Sequence, residues 1–461
     1  MARLSLEMVL EATGGRLQGP ADQTNGLSFT AVSTDSRSVR AGELFVALKG
    51  ERYDGHDFVA EAIRRGAAAA IVSKPVAAAA GAAVLIEVHD TLEAMGCIAA
   101  AHRSRFALPV IAITGSVGKT TTKEMTAQIL SQRFRVLKTE ENYNNEIGVP
   151  LAALQLEPSH QAAVFEIAMR APGEIAWLAH IVKPSIGVIT NVGVTHIERL
   201  GSTEAIAAAK AELLHGMGAD SAAVLNADDD NSKPLMAAAK GRVVTFGVDR
   251  PADVTAREVR LGGTASAQFR LAAGKGEVLV RLQVPGRHNV ANALAAAAAA
   301  LQAGATMEDV RGGLESTTLG KHRLQIMTSA RGFTILDDCY NANPDSMIAA
   351  LEVLAELQAH RRIAVLGDML ELGPEAAEMH RLVGREAAKR RLALLVVAGD
   401  FAHHLREGAL SAMSEDQVVV ASAVEECADI IQQAARAGDA VLVKASRAMA
   451  FERIVERLAS G

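Results

Sequence analysis

Val110 to Met125 of the chain reads VIAITGSVGKTTTKEM and combines three local signals. An apolar run predicts a buried strand, Gly115 and Gly118 predict a tight turn, and the residues that follow predict a helix. The first amides of such a helix, together with the positive end of its dipole, bind phosphate oxygens. The stretch therefore predicts a strand, a phosphate loop and a helix, which is the unit around which an α/β domain is built.

The loop departs from the standard G-x-x-x-x-G-K-[ST] pattern, because Ile113 stands where the first glycine belongs. Its context still favours a nucleoside triphosphate site, in which Lys119 reaches the β- and γ-phosphates and the Thr120 hydroxyl binds Mg²⁺. The expected nucleotide contacts of the loop are Gly115, Ser116, Val117, Gly118, Lys119, Thr120 and Thr121. A plain glycine turn between strand and helix is the alternative, and the loop alone does not identify a reaction.

Strand and helix patterns alternate along most of the chain. The strands AVFEIA, IGVIT and AAVLN after the loop predict a parallel sheet covered on both faces. Between Asp253 and Val284 apolar and polar residues alternate, which predicts an antiparallel excursion. At 461 residues the chain has room for about three domains. We predict an α/β fold with a small mixed domain at 1–88, a central P-loop ATPase domain at 89–320 and a second α/β domain at 321–461.

The composition is that of an ordinary globular chain, with 49% hydrophobic and 22% charged residues. A net charge of −6 without a polybasic run argues against a protein that binds nucleic acid mainly through phosphate contacts. The three cysteines lie far apart, which indicates a reducing cytoplasm rather than a zinc or redox site. Neither a signal peptide nor a membrane span is recognisable, so a cytoplasmic protein is expected.

Polar residues follow further strands at the edge where open α/β sheets bind ligands. Glu166 lies near the end of AVFEIA, and a carboxylate there suits Mg²⁺, which prefers oxygen ligands. His196 follows IGVIT and is a second possible ligand, although a single histidine is usually structural. Lys210 lies in a predicted helix, where a lysine is usually only solvated, and Asn144 and Asn145 favour a loop. Spacing alone leaves each of these residues open to an ordinary structural role.

Six motifs occur in one order along the chain. They are TGSVGKTTTKEM, NYNNEIGVP, FEIAMRAPGEIAWL, TNVGVTHIERLGS with AAKAELL, PGRHNVANALAA and ILDDCYNANPDSM. With these motifs the chain resembles the Mur ligase family over essentially its whole length. The resemblance implies an N-terminal domain for the UDP end of the substrate, a central ATPase, and a C-terminal Rossmann-like domain that helps to bind ATP and the incoming amine.

The same resemblance implies roles for individual residues. Lys119 and Thr120 match ligands of the ATP phosphates and magnesium, while Glu166 and His196 would each bind one of two magnesium ions. Lys210 matches a lysine that is carbamylated in several family members, which would make it an oxygen ligand of magnesium. Further expected contacts are Asn289 and Asn292 for the adenine, Arg323 for the γ-phosphate, Asp338 for the ribose, and Tyr340 and Asn341 for the nucleotide. The substrate contacts are expected at Ser36, Arg37, Asn144 and Asn145, and the catalytic groups at Lys119, His196, Lys210 and Arg323.

Two segments indicate which amine the ligase joins to its substrate. Asp337 to Ser346, DDCYNANPDS, and Gly367 to Gly373, GDMLELG, look most like the family member that joins D-alanyl-D-alanine to UDP-N-acetylmuramoyl-tripeptide. A ligase for diaminopimelate is expected to carry a D-N-P-R motif, and the arginine is missing here. Sister ligases for diaminopimelate or lysine, a folylpolyglutamate synthase, and a P-loop switch or transport ATPase remain alternatives. The family further implies a monomer, and the third residue of the peptide stays open between diaminopimelate and lysine.

Overall fold

The first part of the chain forms a small mixed sheet. The computed structural model describes residues 3–19, 24–50, 52–76, 84–140, 143–193, 197–262 and 266–460. Its first elements are β1 (Leu4–Ser5), α1 (Leu6–Thr13), β2 (Arg16–Gln18), β3 (Ser28–Phe29), β4 (Val32–Ser33), β5 (Leu44–Val46), α2 (Val59–Arg64), β6 (Ala69–Val72) and β7 (Leu85–Glu87). The sheet order is β2-β7-β6-β5-β4, with β2 antiparallel to β7 and the other pairs parallel, while β1 pairs with β3. This part is thus mixed α/β, as predicted.

The central part builds the largest sheet. Its elements are α3 (Thr91–Arg103), β8 (Val110–Thr114), α4 (Lys119–Leu130), β9 (Val136–Lys138), α5 (Gly148–Ala153), β10 (Ala162–Glu166), α6 (Glu174–Val182), β11 (Ile186–Ile189), α7 (Ile197–Leu200), α8 (Thr203–His215), β12 (Ala222–Asn226), α9 (Lys233–Ala238), β13 (Arg242–Gly247), β14 (Val254–Gly262), β15 (Ser266–Ala273), β16 (Gly276–Leu282), α10 (Arg287–Gln302) and α11 (Met307–Glu315). The order is β16-β15-β14-β13-β12-β11-β8-β10-β9, parallel from β9 to β14 and antiparallel beyond. The predicted parallel sheet with an antiparallel excursion is confirmed.

The last part of the chain forms the third sheet, which is again α/β. Its elements are β17 (Gln325–Thr328), β18 (Thr334–Asp337), α12 (Pro344–Glu356), β19 (Arg362–Leu366), α13 (Ala376–Lys389), β20 (Leu394–Ala398), α14 (Ala402–Ala409), β21 (Val418–Ala421), α15 (Val424–Ala434), β22 (Ala440–Lys444) and α16 (Glu452–Ser460). The order is β17-β18-β22-β19-β20-β21, and β17 alone is antiparallel to its neighbour among these described strands. The sequence analysis did not predict β17, a short edge strand without a strong apolar pattern.

A helix start explains how one of the six motifs folds. In DDCYNANPDS, Asn343 Oδ1 accepts a hydrogen bond from the Ser346 amide at 2.8 Å, and Pro344 occupies the first helical position of α12. This is a standard start signal for a helix. The motif therefore comprises the end of β18, a loop, and the first turn of α12, so its polar residues lie at the carboxyl edge of the third sheet.

Helix α10 is built largely from alanine. The side chains from Ala295 to Ala300 are at most 1% exposed, and the helix packs against α4 and the strands β11 to β15. Small side chains let the helix approach both neighbours closely. Apolar clusters cover both faces of the central sheet and of the third sheet, as expected for doubly covered parallel strands. None of the helices described has the length and apolar character needed to cross a bilayer.

Candidate active site

The phosphate loop lies between β8 and α4, at the carboxyl edge of the central sheet. The Val117 amide donates to Asn191 Oδ1 at 2.9 Å, and the Thr190 hydroxyl donates to the Val117 carbonyl at 2.6 Å. Gly118 precedes α4 with a φ of 83°, and a Cβ there would lie 2.3 Å from Asn292 Oδ1. Both the backbone conformation and the lack of space require glycine at this position. The loop is thus held in one conformation by its neighbours.

Lys119 places a positive charge at the start of α4. Its ammonium donates to the carbonyls of Gly115 at 2.7 Å and Ser116 at 3.1 Å. Burial lowers the pKa of Lys119, the carboxylate of Glu166 opposes that shift, and Arg323 adds to it. Thr120 and Thr121 follow in the first turn of the helix. This arrangement of backbone amides, a cation and hydroxyls suits a polyphosphate.

Glu166 ends β10, which pairs directly with β8. Glu166 is 2% exposed, and its Oε1 accepts a hydrogen bond from Asn144 Nδ2 at 2.8 Å. Its Oε2 is buried and has no hydrogen-bond partner among the described residues. A buried carboxylate oxygen is unfavourable unless a donor or a cation reaches it. Glu166 and Thr120 border the same cavity, and a carboxylate with a hydroxyl is a donor set that fits Mg²⁺.

Lys210 lies in α8, and the residue is 1% exposed. Burial, reinforced by the charge of Lys119, lowers the pKa of Lys210 to about 7. A large fraction of this amine is therefore neutral at neutral pH, which is the form that reacts with carbon dioxide. Lys210 is not one of the residues that border the cavity described below. His196, the other residue expected near the metal, lies outside the described residues.

Residues of the third sheet face the phosphate loop. Asp338 follows β18; its Oδ2 accepts a hydrogen bond from Lys444 Nζ at 2.6 Å and its Oδ1 accepts one from the Leu324 amide at 3.1 Å. The Arg323 guanidinium lies 4.0 Å from the centre of the Tyr340 ring, within the range of a cation–π contact. Burial raises the pKa of Asp338, whereas Lys444 and Arg323 oppose that shift. This wall therefore presents both a carboxylate and a guanidinium to the loop.

The two walls enclose a cavity of about 840 Å³, within the usual range for cofactor and ligand sites. The predicted residues that line it are Ser116, Val117, Gly118, Lys119, Thr120, Thr121, Asn144, Glu166, Asn289, Asn292, Arg323, Asp338, Tyr340 and Asn341. Asn289 and Asn292 come from the start of α10, where Asn292 Nδ2 donates to Asn289 Oδ1 at 3.0 Å. Gly115 does not line the cavity, but its carbonyl binds Lys119. The predicted nucleotide contacts are thus brought together around one space.

Three predicted substrate contacts lie apart from this cavity. Asn145 Oδ1 accepts hydrogen bonds from two backbone amides at the start of α5. Ser36 is buried in the N-terminal part, and the Arg37 side chain is 87% exposed and pairs with Asp35 at 2.8 Å. Hydrogen bonds from Arg37 lower the pKa of Asp35 to about 2. Ser36 and Arg37 therefore belong to a different surface from the phosphate loop.

One group of side chains in the described ranges is close enough to hold a metal ion, namely His322, Asp337 and Cys339. The group is already joined by hydrogen bonds. His322 Nδ1 lies 2.8 Å from Asp337 Oδ2, and the Cys339 thiol donates to Asp337 Oδ1 at 3.0 Å. Burial and this hydrogen bond raise the pKa of the Cys339 thiol, and a protonated thiol is a poor metal ligand. We interpret the group as a structural support beside Asp338.

Several polar residues that line the cavity were not predicted as site residues. Among them are His288 at the start of α10, Asp345 in the first turn of α12, and Lys444 at the end of β22. Burial and the charge of Lys444 lower the pKa of His288 to about 4, so its imidazole is neutral. Burial and Asp229 raise the pKa of Asp345. The strand-end position of Lys444 was a usable signal, whereas spacing does not single out the other two.

Known proteins match nearly the whole chain. The family models for the Mur ligase catalytic domain, the Mur ligase middle domain and the Mur ligase glutamate ligase domain match residues 28–103, 113–300 and 322–447. The UDP-N-acetylmuramoyl-tripeptide D-alanyl-D-alanine ligase of Escherichia coli is 37% identical over 460 residues, which covers 99% of each chain. The chain belongs to the Mur ligase family. The resemblance seen in the motifs is thereby confirmed, and as a Mur ligase the chain is an ATP-dependent ligase.

Solved Mur ligase structures share the complete fold. MurF from Acinetobacter baumannii is 35% identical with a TM-score of 0.92, and the match covers 100% of this chain and 99% of that chain. MurF ligase from Thermotoga maritima, solved in complex with ADP, is 28% identical with a TM-score of 0.81, and the match covers 93% and 97%. The α/β architecture predicted from the sequence is thus that of a Mur ligase. Membership also excludes a P-loop switch or transport ATPase.

Proposed function

We propose that this Mur ligase joins D-alanyl-D-alanine to UDP-N-acetylmuramoyl-tripeptide in peptidoglycan precursor synthesis. The observation that carries the proposal is the cavity itself, where the phosphate loop faces Arg323 and Asp338, which lie next to strands of the third sheet. Such a site can hold ATP and an acceptor together, as a ligase requires. The name of the Escherichia coli relative, similar over its full length, supports this choice of acceptor, and so does the missing arginine in Asn343-Pro344-Asp345.

The first step of the proposed reaction activates a carboxylate. An oxygen of the tripeptide's terminal carboxylate attacks the γ-phosphorus, the bond from that phosphorus to the β–γ bridging oxygen breaks, and ADP leaves. The product is an acyl phosphate. Both reacting groups are anionic, so cations must reduce their repulsion. Lys119 and Arg323 supply positive charge from opposite walls of the cavity, and each such group typically lowers the barrier by about 3 kcal/mol.

Thr120 and Glu166 are the residues that would hold a magnesium ion, with His196 at a second ion. When bound, magnesium supplies further positive charge at the phosphate oxygens. Lys210 would serve that site as a carbamate, formed when its neutral amine adds to carbon dioxide and releases one proton. The pKa of Lys210 near 7 supports this modification, because the reactive neutral amine is available at neutral pH. The carbamate converts a cation into an oxygen ligand.

The second step forms the amide bond. The amino nitrogen of the dipeptide attacks the acyl carbon and gives a tetrahedral intermediate. The nitrogen loses a proton, the bond between the acyl carbon and the phosphate oxygen breaks, and inorganic phosphate leaves. Exclusion of water protects the acyl phosphate during this exchange. Asn144, which donates to Glu166 at 2.8 Å, borders the same cavity and is proposed to contact the muramoyl substrate. Asn145, which does not border the cavity, is proposed as a second contact.

The other expectations complete the proposal. The UDP end of the substrate is proposed to bind the N-terminal domain at Ser36 and Arg37, with domain limits at 1–88, 89–320 and 321–461. The protein is proposed to act as a monomer in the cytoplasm. No nucleic-acid partner is proposed, in keeping with the net charge of −6.

The acceptor can be tested by measuring phosphate release from ATP with purified UDP-N-acetylmuramoyl-tripeptide while the amine is varied. Release that depends on D-alanyl-D-alanine, with the amide product seen by mass spectrometry, is the expected result. Release with diaminopimelate or lysine on a UDP-N-acetylmuramoyl-dipeptide, or with glutamate on a folate, would assign the protein to a sister reaction. Substrates that carry diaminopimelate or lysine at the third position then show which peptide is preferred. Lys119→Ala serves as the control for contaminating ATPases.

A further inference from the structure

Lys444 ends β22 with its side chain 3% exposed. Its ammonium donates to Asp338 Oδ2 at 2.6 Å, to the Asn341 carbonyl at 2.8 Å and to the Asp338 carbonyl at 3.3 Å. An ammonium has three N–H groups, and all three are used here. Their acceptors all belong to the loop after β18, which carries the predicted nucleotide contacts. Lys444 is therefore bonded to that loop and has no N–H group left for a ligand.

The loop in turn holds a second segment. Asp338 uses its Oδ1 to accept a hydrogen bond from the Leu324 amide at 3.1 Å. The Tyr340 amide donates to the His322 carbonyl at 3.0 Å. These two bonds fix the residues on either side of Arg323. Lys444 and Arg323 are thus connected through one buried carboxylate.

The turn that carries Arg323 is strained. His322 and Leu324 have φ values of 62° and 47°, although neither is glycine. Each such conformation is unfavourable by about 1–3 kcal/mol and persists only where surrounding contacts impose it. Two of the contacts that impose it here are the bonds from the loop that Lys444 holds, and the His322 ring is also joined to Asp337. The strain directs the guanidinium between them into the cavity, over the Tyr340 ring.

We propose that Lys444 is a positioning residue of the ligase: acting through Asp338, it holds the strained turn that directs Arg323 at the nucleotide. The inference rests on the proposed function, in which Arg323 contacts the γ-phosphate. Lys444 itself touches no reacting atom. Its loss would leave the Asp338 carboxylate buried without its main partner, which is a costly state. The turn would then relax toward ordinary φ values and carry Arg323 away from the cavity.

The test compares Lys444→Met with Arg361→Met. Arg361 pairs with Asp439 at 2.6 Å just before β19 and β22, at the opposite ends of the strands from Lys444, and Asp439 is 2% exposed. Both variants remove the cation that pairs with a largely buried carboxylate of the same sheet, although the Arg361 side chain is 40% exposed and the Lys444 side chain 3%. Only Lys444 is linked to the cavity. Nucleotide affinity is measured by calorimetry with a non-hydrolysable ATP analogue and with ADP, and turnover is measured as phosphate release.

For Lys444→Met we expect a loss of about 10²-fold in kcat/KM for ATP, the usual effect of a small misplacement of a catalytic group. The loss of affinity should be larger for the ATP analogue than for ADP, because Arg323 is expected at the γ-phosphate. Arg361→Met should keep both quantities within about threefold of wild type. Because Lys444 acts through Asp338, the double variant with Asp338→Asn should be no worse than the poorer single variant. Equal losses in the Met variants, or additive losses in the double variant, would overturn the proposal.

If Lys444→Met does not fold, the Lys444→Arg variant is used to test the proposal. A planar guanidinium keeps the charge but cannot place three N–H groups on these acceptors as an ammonium does. The variant should fold and still bind the ATP analogue more weakly than Arg361→Met does; wild-type affinity would overturn the proposal. Analogue binding requires no acceptor, so a failure of the proposed acceptor leaves this test intact. A wild-type enzyme that uses D-alanyl-D-alanine, together with an unaffected Lys444 variant, would refute this inference alone.

Discussion

Replacement of Gly118 by alanine tests whether the shape of the phosphate loop is set by space as well as by backbone conformation. Gly173 provides a matched control, because both glycines immediately precede a helix with similar angles, φ 83° and ψ −5° for Gly118 and φ 89° and ψ −21° for Gly173. An added Cβ would meet nothing within 4 Å at Gly173. At Gly118 it would lie 2.3 Å from Asn292 Oδ1 and 3.1 Å from Asn292 Cγ.

The expected losses in the free energy of unfolding are the sum of a backbone contribution and a packing contribution. The left-handed conformation disfavours alanine by about 1–2 kcal/mol, and this term is common to both sites. Overlap in a packed interior adds about 1–3 kcal/mol at Gly118 only. Asn292 can relieve the overlap only by moving, which disrupts its hydrogen bonds with Asn289 at 3.0 Å and Thr122 at 3.4 Å. We therefore expect Gly173→Ala to lower the free energy of unfolding by about 1–2 kcal/mol and Gly118→Ala by about 2–5 kcal/mol.

The assay measures urea-induced unfolding and ADP binding for both variants. Gly118→Ala should also weaken ADP binding, because either the loop or Asn292 must shift and both line the cavity. Gly173→Ala should bind ADP like the wild type. Equal unfolding free energies for the two variants would show that the contact with Asn292 adds nothing. Unchanged ADP affinity in Gly118→Ala would show that the loop does not depend on this contact.

Four further substitutions address the remaining roles. Lys119→Ala should reduce turnover by at least about 10²-fold, with an unfolding temperature near that of the wild type by calorimetry; normal turnover would remove Lys119 from the mechanism. Glu166→Gln keeps an oxygen for Asn144 but loses the charge, so the Mg²⁺ concentration for half-maximal rate should rise, and an unchanged titration would argue against magnesium at this residue. Lys210→Ala should lose a carbamate signal in NMR spectra recorded with ¹³C-labelled carbon dioxide. That signal should grow in the wild type as the pH rises through about 7 and the Lys210 amine loses its proton, and its absence at pH 8 would refute the modification. Arg37→Ala removes an exposed side chain, so the KM for the UDP substrate should rise while the KM for ATP and the stability stay constant; a shift in the KM for ATP would contradict separate surfaces.

The succession of strands and helices along the chain and the phosphate loop could be predicted, because both depend on local sequence. The run Val110 to Thr114 is apolar and short, glycines follow it, and a helix pattern follows those, so each signal agrees with the next. The antiparallel strands after Asp253 were equally visible as an alternation of apolar and polar residues. The edge strand β17 escaped prediction, since its pairing with β18 depends on a neighbour rather than on its own pattern.

The features of the site that depend on contacts between residues far apart in the chain could not be predicted from the sequence. Asn289, Asn292, Arg323 and Asp338 were named through motifs, but their meeting around one cavity follows from how the central and third sheets pack. The unpaired oxygen of Glu166 is likewise a property of its surroundings, since nothing in AVFEIA distinguishes it from a solvated strand end. Lys444 lies more than 100 residues from its acceptors in the loop after β18, and no local pattern reports such a bond.

The buried alanines of α10 bear on how this protein tolerates mutation. Low-complexity stretches are often regarded as permissive, yet every side chain from Ala295 to Ala300 is enclosed between α4 and the sheet. An added methyl group in such packing forces its neighbours to shift, which typically costs about 1–3 kcal/mol. In a saturation-mutagenesis library selected for growth, this repetitive segment should therefore be among the least substitutable in the chain, with glycine and serine as its main survivors.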